Sequence, residues 1–164
     1  MLIRLYPSEA TEATDATEAA VCCPTLTLDG VAVRLRKPTG PEHAGVARWV
    51  AEHFGAGWAS EVQVALNNRP VSVWIATQRA GLLGFACFDA TARGFFGPLG
   101  VADAMRSRGV GAALLRVCLQ DMRAAGYGYA IAGGVGAPDF FRRVAGAVDI
   151  PDSTPGLYAD QLRL

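Results

Sequence analysis

The segment Arg106-Ser107-Arg108-Gly109-Val110-Gly111-Ala112 decides how this chain is read. It stands between an apolar run ending at Val101, which patterns as a strand, and the most regular helical pattern in the sequence. A loop at such a junction aims several backbone N–H groups at one point. The free amides and positive dipole end of a helix N-terminus attract phosphate groups, and glycines let a ligand approach the backbone. Arg106 and Arg108 add the capacity for charge-assisted contacts. The segment therefore suits an anion. It is not a dinucleotide fingerprint, which needs a glycine or alanine three residues after Gly111, where Leu114 stands, and it lacks the Lys-Ser/Thr pair of a P-loop.

Downstream, Val110, Leu114, Leu115, Val117, Cys118, Leu119 and Met122 cover one wide face of a helix over 109–125, and Gly126 stops it. A short strand over 127–132, a flexible turn over 133–136 and a helix over 138–145 opened by Pro138 follow. The tail over 149–164 leaves room for one more edge element. Upstream, residues 25–29 and 31–36 alternate apolar and polar side chains around Asp29-Gly30, a hairpin signature. Val46, Trp49, Val50 and Phe54 stand at helical spacing within 41–54. The Gly55-Ala56-Gly57 break separates that helix from a second short one over 58–66. Strands over 71–77, 82–89 and 94–101 then form a meander, the last interrupted by Pro98.

Residues 8–20 are different in kind: a degenerate triplet repeat rich in Ala and Thr that carries Glu9, Glu12, Asp15 and Glu18. A period of three fits neither an amphipathic helix nor a strand. Residues 1–24 thus read as an acidic N-terminal extension and 25–164 as a single folded domain. The whole chain has 164 residues, 15 basic and 15 acidic side chains and 51% hydrophobic residues, which supports one domain with a real core. A zero balance argues against nucleic-acid binding, which needs a net basic surface. The balance hides an asymmetry, since residues 102–147 carry six arginines against three aspartates, around the anion-binding segment. No run approaches the ~18 apolar residues of a membrane span, and the first residues lack a signal-peptide pattern, so a cytoplasmic, non-membrane protein is expected. Cys22, Cys23, Cys87 and Cys118 show no CxxC spacing, and His43 and His53 have no ligand set around them. No metal site is indicated.

The segment from Arg106 to Ala112 resembles the Arg/Gln-x-x-Gly-x-Gly/Ala signature of the GNAT superfamily of acyl-CoA-dependent N-acetyltransferases. The apolar Pro98-Leu99-Gly100-Val101 stretch lies upstream of Arg106 at the spacing seen in that family, and Phe140-Phe141 with Gly146 resembles its aromatic pair on the last helix. The order of elements over about 31–147 is also that of the family. The resemblance implies an α/β (α+β) fold, with a mixed, mostly antiparallel central sheet flanked by helices. It implies acetyl-CoA as co-substrate and a primary amine, on a small molecule or peptide, as acceptor. The backbone of Leu99, Gly100 and Val101 would pair with the pantetheine arm, the amides of Ser107, Arg108, Gly109, Val110, Gly111 and Ala112 would hold the pyrophosphate, and Arg106 would add charge. The Gly100 or Val101 N–H would stabilise the oxyanion.

The chain departs from the family where chemistry is finished. Phe141 stands where a proton-donating Tyr is common, and an Asn common at the start of the last helix is replaced within 133–136. Tyr129 and Tyr158 are the candidate acids, and Asp89, Glu61 and His53 the candidate bases. Two readings follow: an N-acetyltransferase working by direct attack, and a non-catalytic acyl-CoA-binding or regulatory domain on the same fold. Homodimer formation stays open.

Overall fold

A computed structural model describes residues 1–6 and 25–162. The hairpin of β2 (Thr25–Leu28) and β3 (Val31–Arg36) turns at Asp29-Gly30, both with positive φ, the conformation a two-residue turn demands. Helices α1 (His43–Phe54) and α2 (Ala56–Asn67) follow, with Gly55 as the break between them. The meander consists of β4 (Val73–Gln78), β5 (Gly81–Phe88) and β6 (Phe95–Val101). It leads into α3 (Val110–Ala124), β7 (Tyr129–Ala132) and α4 (Pro138–Ala145).

The extension expected over 1–24 begins differently. Leu2–Arg4 is a strand, β1, paired antiparallel with β7 at the sheet edge, and Ile3 is buried. Its partner is some 130 residues away, so no local pattern announces it. The acidic repeat, with Cys22 and Cys23, lies outside the described residues. The tail supplies no strand among the described residues: Val148 makes one bridge to Leu2, and 156–158 form a single 3-10 turn. Pro151 and Pro155 deprive that tail of two ladder donors.

The sheet runs β1-β7-β6-β5-β4-β3-β2, antiparallel except for the β6–β7 pair. Alternation along the central strands divides the core into two. Ala76 and Ala86 face α3 with Val33, Leu114, Leu115 and Cys118, whereas Ile75 and Phe85 face α1 and α2 with Val50, Val62 and Ala65. Burying each large aliphatic side chain contributes roughly 1.5–3 kcal/mol. Helix α3 is pinned further where Asp121 accepts from the Trp74 indole at 2.9 Å and pairs with Lys37 at 2.7 Å.

One polar knot has a pH signature. Arg36 holds both oxygens of Glu42 at 2.7 and 2.5 Å, and the Thr39 amide donates to the same carboxylate at 2.7 Å. The Arg36 bond leads the causes that lower the Glu42 pKa to about 2. A lowered folded pKa stabilises fully above the ordinary value, near 4.5, and the contribution is lost as pH falls toward 2. The carboxylate is 36% exposed, so solvent screening leaves about 1 kcal/mol or less. Glu42→Gln should lower the denaturation midpoint at pH 7 and flatten its decline between pH 5 and 3. Parallel pH slopes for the two proteins would contradict this.

Candidate functional site

Strands β6 and β7 are paired for only two residues, Phe95 with Ile131 and Phe96 with Ala132, and then part. The cause lies in β6. Phe88 pairs with Phe96 but Ala86 with Leu99, so β6 spends one residue more than β5. Such a bulge bends the strand and flips its faces. Beyond it, Leu99 to Val101 keep β5 on one side and have no strand on the other among the described residues. The result is a wedge with its apex at Phe96 and Ala132.

The ladder register determines which groups face the wedge. The Ala102 amide donates to the Leu83 carbonyl at 2.8 Å, so by antiparallel alternation the next bonded pair is Gly100 with Phe85. The amides and carbonyls of Leu99 and Val101 therefore point to the open edge, and the Val101 carbonyl receives Arg106 Nε at 3.5 Å. This corrects one expectation: the Gly100 N–H turns into the sheet and is no oxyanion donor. Gly100 serves by lacking a side chain, since a Cβ there would lie 2.7 Å from ring carbons of both Phe54 and Phe85. Phe54 stacks on Trp58 with ring centroids 5.2 Å apart, giving the wedge an aromatic wall on its α1–α2 side.

At the wide end of the wedge stands the start of α3. Ser107 and Gly109 have φ of 59° and 87°, a left-handed kink that swings the chain into the helix. The first helical bond runs from the Ala113 amide to the Gly109 carbonyl at 3.0 Å, so the amides of Val110, Gly111 and Ala112 precede it, and no side chain caps them. A Cβ on Gly111 would stand 3.5 Å from Val101 Cγ2 and 3.8 Å from Phe140, which places these amides beside the open edge of β6. The two arginines have partners. Arg108 pairs with Asp29 of the β2–β3 turn, tying the loop to the hairpin, and Arg106 pairs with Asp103 at 2.7 Å while 62% exposed. Binding charge here falls first to the backbone, and Arg106 can join by exchanging Asp103.

The candidate proton-transfer groups separate cleanly. Asp89 is structural: one oxygen accepts the Gly94 amide at 2.7 Å and the other the Tyr127 hydroxyl at 2.8 Å, closing the β5–β6 loop. Burial, then this bond to Asp89, raises the Tyr127 pKa. Tyr129 is likewise misplaced for chemistry. It begins β7, three residues before the apex on the side away from the wedge, and shares a 2.7 Å hydrogen bond with the Tyr6 hydroxyl. His53 is exposed, its ring stacked on Trp49 and its Nδ1 2.8 Å from the Trp49 carbonyl.

Tyr158 is brought to the apex. Its hydroxyl lies 2.7 Å from the point a Cβ on Gly133 would occupy, and Gly133 directly follows the last β7 residue paired to β6. The same phenol lies near Thr91, whose hydroxyl donates to the Glu61 carboxylate of α2. Burial pushes the Tyr158 pKa up, the nearby Thr91 hydroxyl opposes this, and the Glu61 charge reinforces it. Glu61, Thr91 and Tyr158 therefore stand together near the apex, with the phenol held protonated. Thr91 carries no motif that sequence reading could use. Phe141 packs edge-on against Phe96, with ring centroids 5.9 Å apart, on the α3 face of the sheet. A groove of about 560 Å³ lies elsewhere, over β3 and β4, so the wedge is defined by backbone geometry rather than by volume. Among the described residues no three His, Cys, Asp or Glu side chains cluster as a metal site, and no helix is long and apolar enough to cross a membrane.

Residues 41–146 match the model of the acetyltransferase (GNAT) family. Among solved structures, the chain resembles a ribosomal-protein-alanine N-acetyltransferase from Brucella melitensis biovar Abortus 2308, at TM-score 0.54 and 17% identity over 72% of this chain and 94% of that one. It also resembles a GNAT family N-acetyltransferase from Escherichia coli solved with CoA, at TM-score 0.52 and 18% identity over 76% of this chain and 69% of that one. A Pyrococcus horikoshii protein, at TM-score 0.46 and 19% identity over 60% of this chain, is matched over only 37% of its own length. No curated protein matches the sequence. With a mostly antiparallel seven-stranded sheet, the parallel β6–β7 wedge and a family match spanning well over half its length, the chain belongs to the GNAT acetyltransferase family.

Proposed function

We propose that this chain transfers the acetyl group of acetyl-CoA to a primary amine of a small molecule or peptide by direct attack. The observation that carries this reading is the alignment of two backbone features, the unpaired Leu99–Val101 edge and the uncapped amides of Val110 to Ala112. An extended pantetheine arm adds to the edge as a strand, and its pyrophosphate meets the helix N-terminus. The Leu99 or Val101 N–H polarises the thioester carbonyl, since these amides face the wedge.

In the reaction the amine nitrogen bonds to the thioester carbon, the C–S bond breaks, and the nitrogen sheds a proton to Glu61. The departing thiolate takes the Tyr158 proton, and Thr91 returns the Glu61 proton to Tyr158. Proximity of amine and thioester supplies much of the rate. The non-catalytic reading is favoured by Phe141, which has no proton to give, but Tyr158 offers the missing proton from another element.

The test is calorimetric titration with acetyl-CoA, followed by thiol release over a broad amine panel. One-site binding in the micromolar range and thiol release with at least one amine are expected. No heat at high micromolar acetyl-CoA would defeat the site, and binding without turnover on any amine would favour the regulatory domain.

A further inference from the structure

The groove over β3 and β4 is built from charges that the wedge does not use. It is lined by Arg34 and Arg36 of β3, by Arg79 of the β4–β5 turn and by Glu42, which precedes α1. Val46, Ile75 and Leu82 form an aliphatic floor. Two strands, β4 and β5, separate β3 from β6, so the groove stands about 10–15 Å across the sheet from the open edge. Its size suits a small molecule.

The charges are not neutralised within the groove. Glu42 is held by both nitrogens of the Arg36 fork. The side chains of Arg34 and Arg79 have no hydrogen-bond or ion-pair partner among the described residues. Arg36 with Glu42 shows which ligand a guanidinium at this spot accepts, a carboxylate taken through both oxygens. Two further forks remain over an apolar floor.

The turn that carries Arg79 is a second sign. Gln78 pairs with Gly81, leaving Arg79-Ala80 as a two-residue loop with φ of 47° and 65°. The neighbouring hairpin meets the same demand with Asp29-Gly30, the residues that tolerate it. Here an arginine and an alanine hold a left-handed conformation that side chains disfavour. Such outliers persist where function retains them.

We propose that this groove binds a small organic dianion, two carboxylates on a short aliphatic skeleton, at a site separate from the wedge. Arg34 and Arg79 each take one carboxylate, and the skeleton lies over Val46, Ile75 and Leu82. The test titrates the protein with succinate, citrate and inorganic phosphate at about 150 mM salt, where diffuse surface attraction is screened. Succinate or citrate should bind at one site, with phosphate at least ten-fold weaker because it has no carbon skeleton. Arg34→Ala and Arg79→Asn should each weaken that binding ten-fold or more and leave acetyl-CoA affinity unchanged. Because asparagine relieves the turn, Arg79→Asn should also raise the melting temperature by about 2–4 °C, which separates lost binding from lost folding. The proposal is overturned if no carboxylate saturates, if phosphate binds as tightly, if both variants bind as the wild type does, or if acetyl-CoA affinity falls with them.

Discussion

Gly109→Val should lower acetyl-CoA affinity at least ~100-fold, the largest single-residue effect expected on binding, while the protein still folds. The cause is backbone conformation, not bulk. A Cβ on Gly109 meets nothing within 4 Å, but φ there is 87°, in the left-handed region that a β-branched residue resists. Holding valine there costs roughly 1–3 kcal/mol. The loop can escape that strain by rotating Gly109, which also swings the amides of Val110, Gly111 and Ala112 away from a common point. Each charge-assisted bond to phosphate is worth ~1.5–3 kcal/mol, so misaiming even one or two accounts for the loss. Asparagine tolerates the left-handed region, so Gly109→Asn should retain affinity within about ten-fold. Calorimetry on both variants decides the matter. Equal affinities for Gly109→Val and wild type would mean that the pyrophosphate is held elsewhere.

That prediction rests on a feature readable from sequence, because glycine spacing and a wide apolar helical face are local signals. The six buried side chains of α3 are among those the 3.6 period selects. The wedge was only half legible. Gly97 and Pro98 mark an interrupted strand, but that the interruption adds one residue against β5, and so decides that Leu99 and Val101 rather than Gly100 face outward, depends on register. Register is a property of two strands. The edge strand Leu2–Arg4 was hidden for a related reason: three residues are too few for a periodic signal.

The same division runs through the charged and catalytic groups. Asp89 at a strand end has the sequence profile of a free carboxylate, yet its two oxygens are occupied by groups five and thirty-eight residues away. Arg108 looked like a phosphate ligand by adjacency to the glycines, and its partner Asp29 sits seventy-nine residues upstream. Tyr158 stood in the sequence as one of two candidate acids, an aromatic in a Pro-rich tail with no local signal to place it. Its significance arises from packing against Gly133, whose missing side chain makes room for the phenol.

Tyr158→Phe should lower kcat by about 100-fold or more, within the range that a positioned general acid contributes, and leave acetyl-CoA affinity within a few-fold. The phenylalanine keeps the ring against Gly133, so a loss of kcat alone reports the proton and not the packing. Burial holds this phenol protonated above the ordinary tyrosine range, so the acid form is present throughout the neutral range. Thr91→Val should produce a smaller defect, about ten-fold, because it cuts the link between Glu61 and Tyr158 while sparing the acid itself. A structural role for Tyr158 would not distinguish donors by leaving group. An acid role does: an acetyl donor with a more acidic thiol leaves without needing a proton, so Tyr158→Phe should recover most of its rate with such a donor. If the variant matches wild type in kcat on acetyl-CoA, or stays equally impaired with the activated donor, Tyr158 is not the proton source and solvent must protonate the thiolate instead.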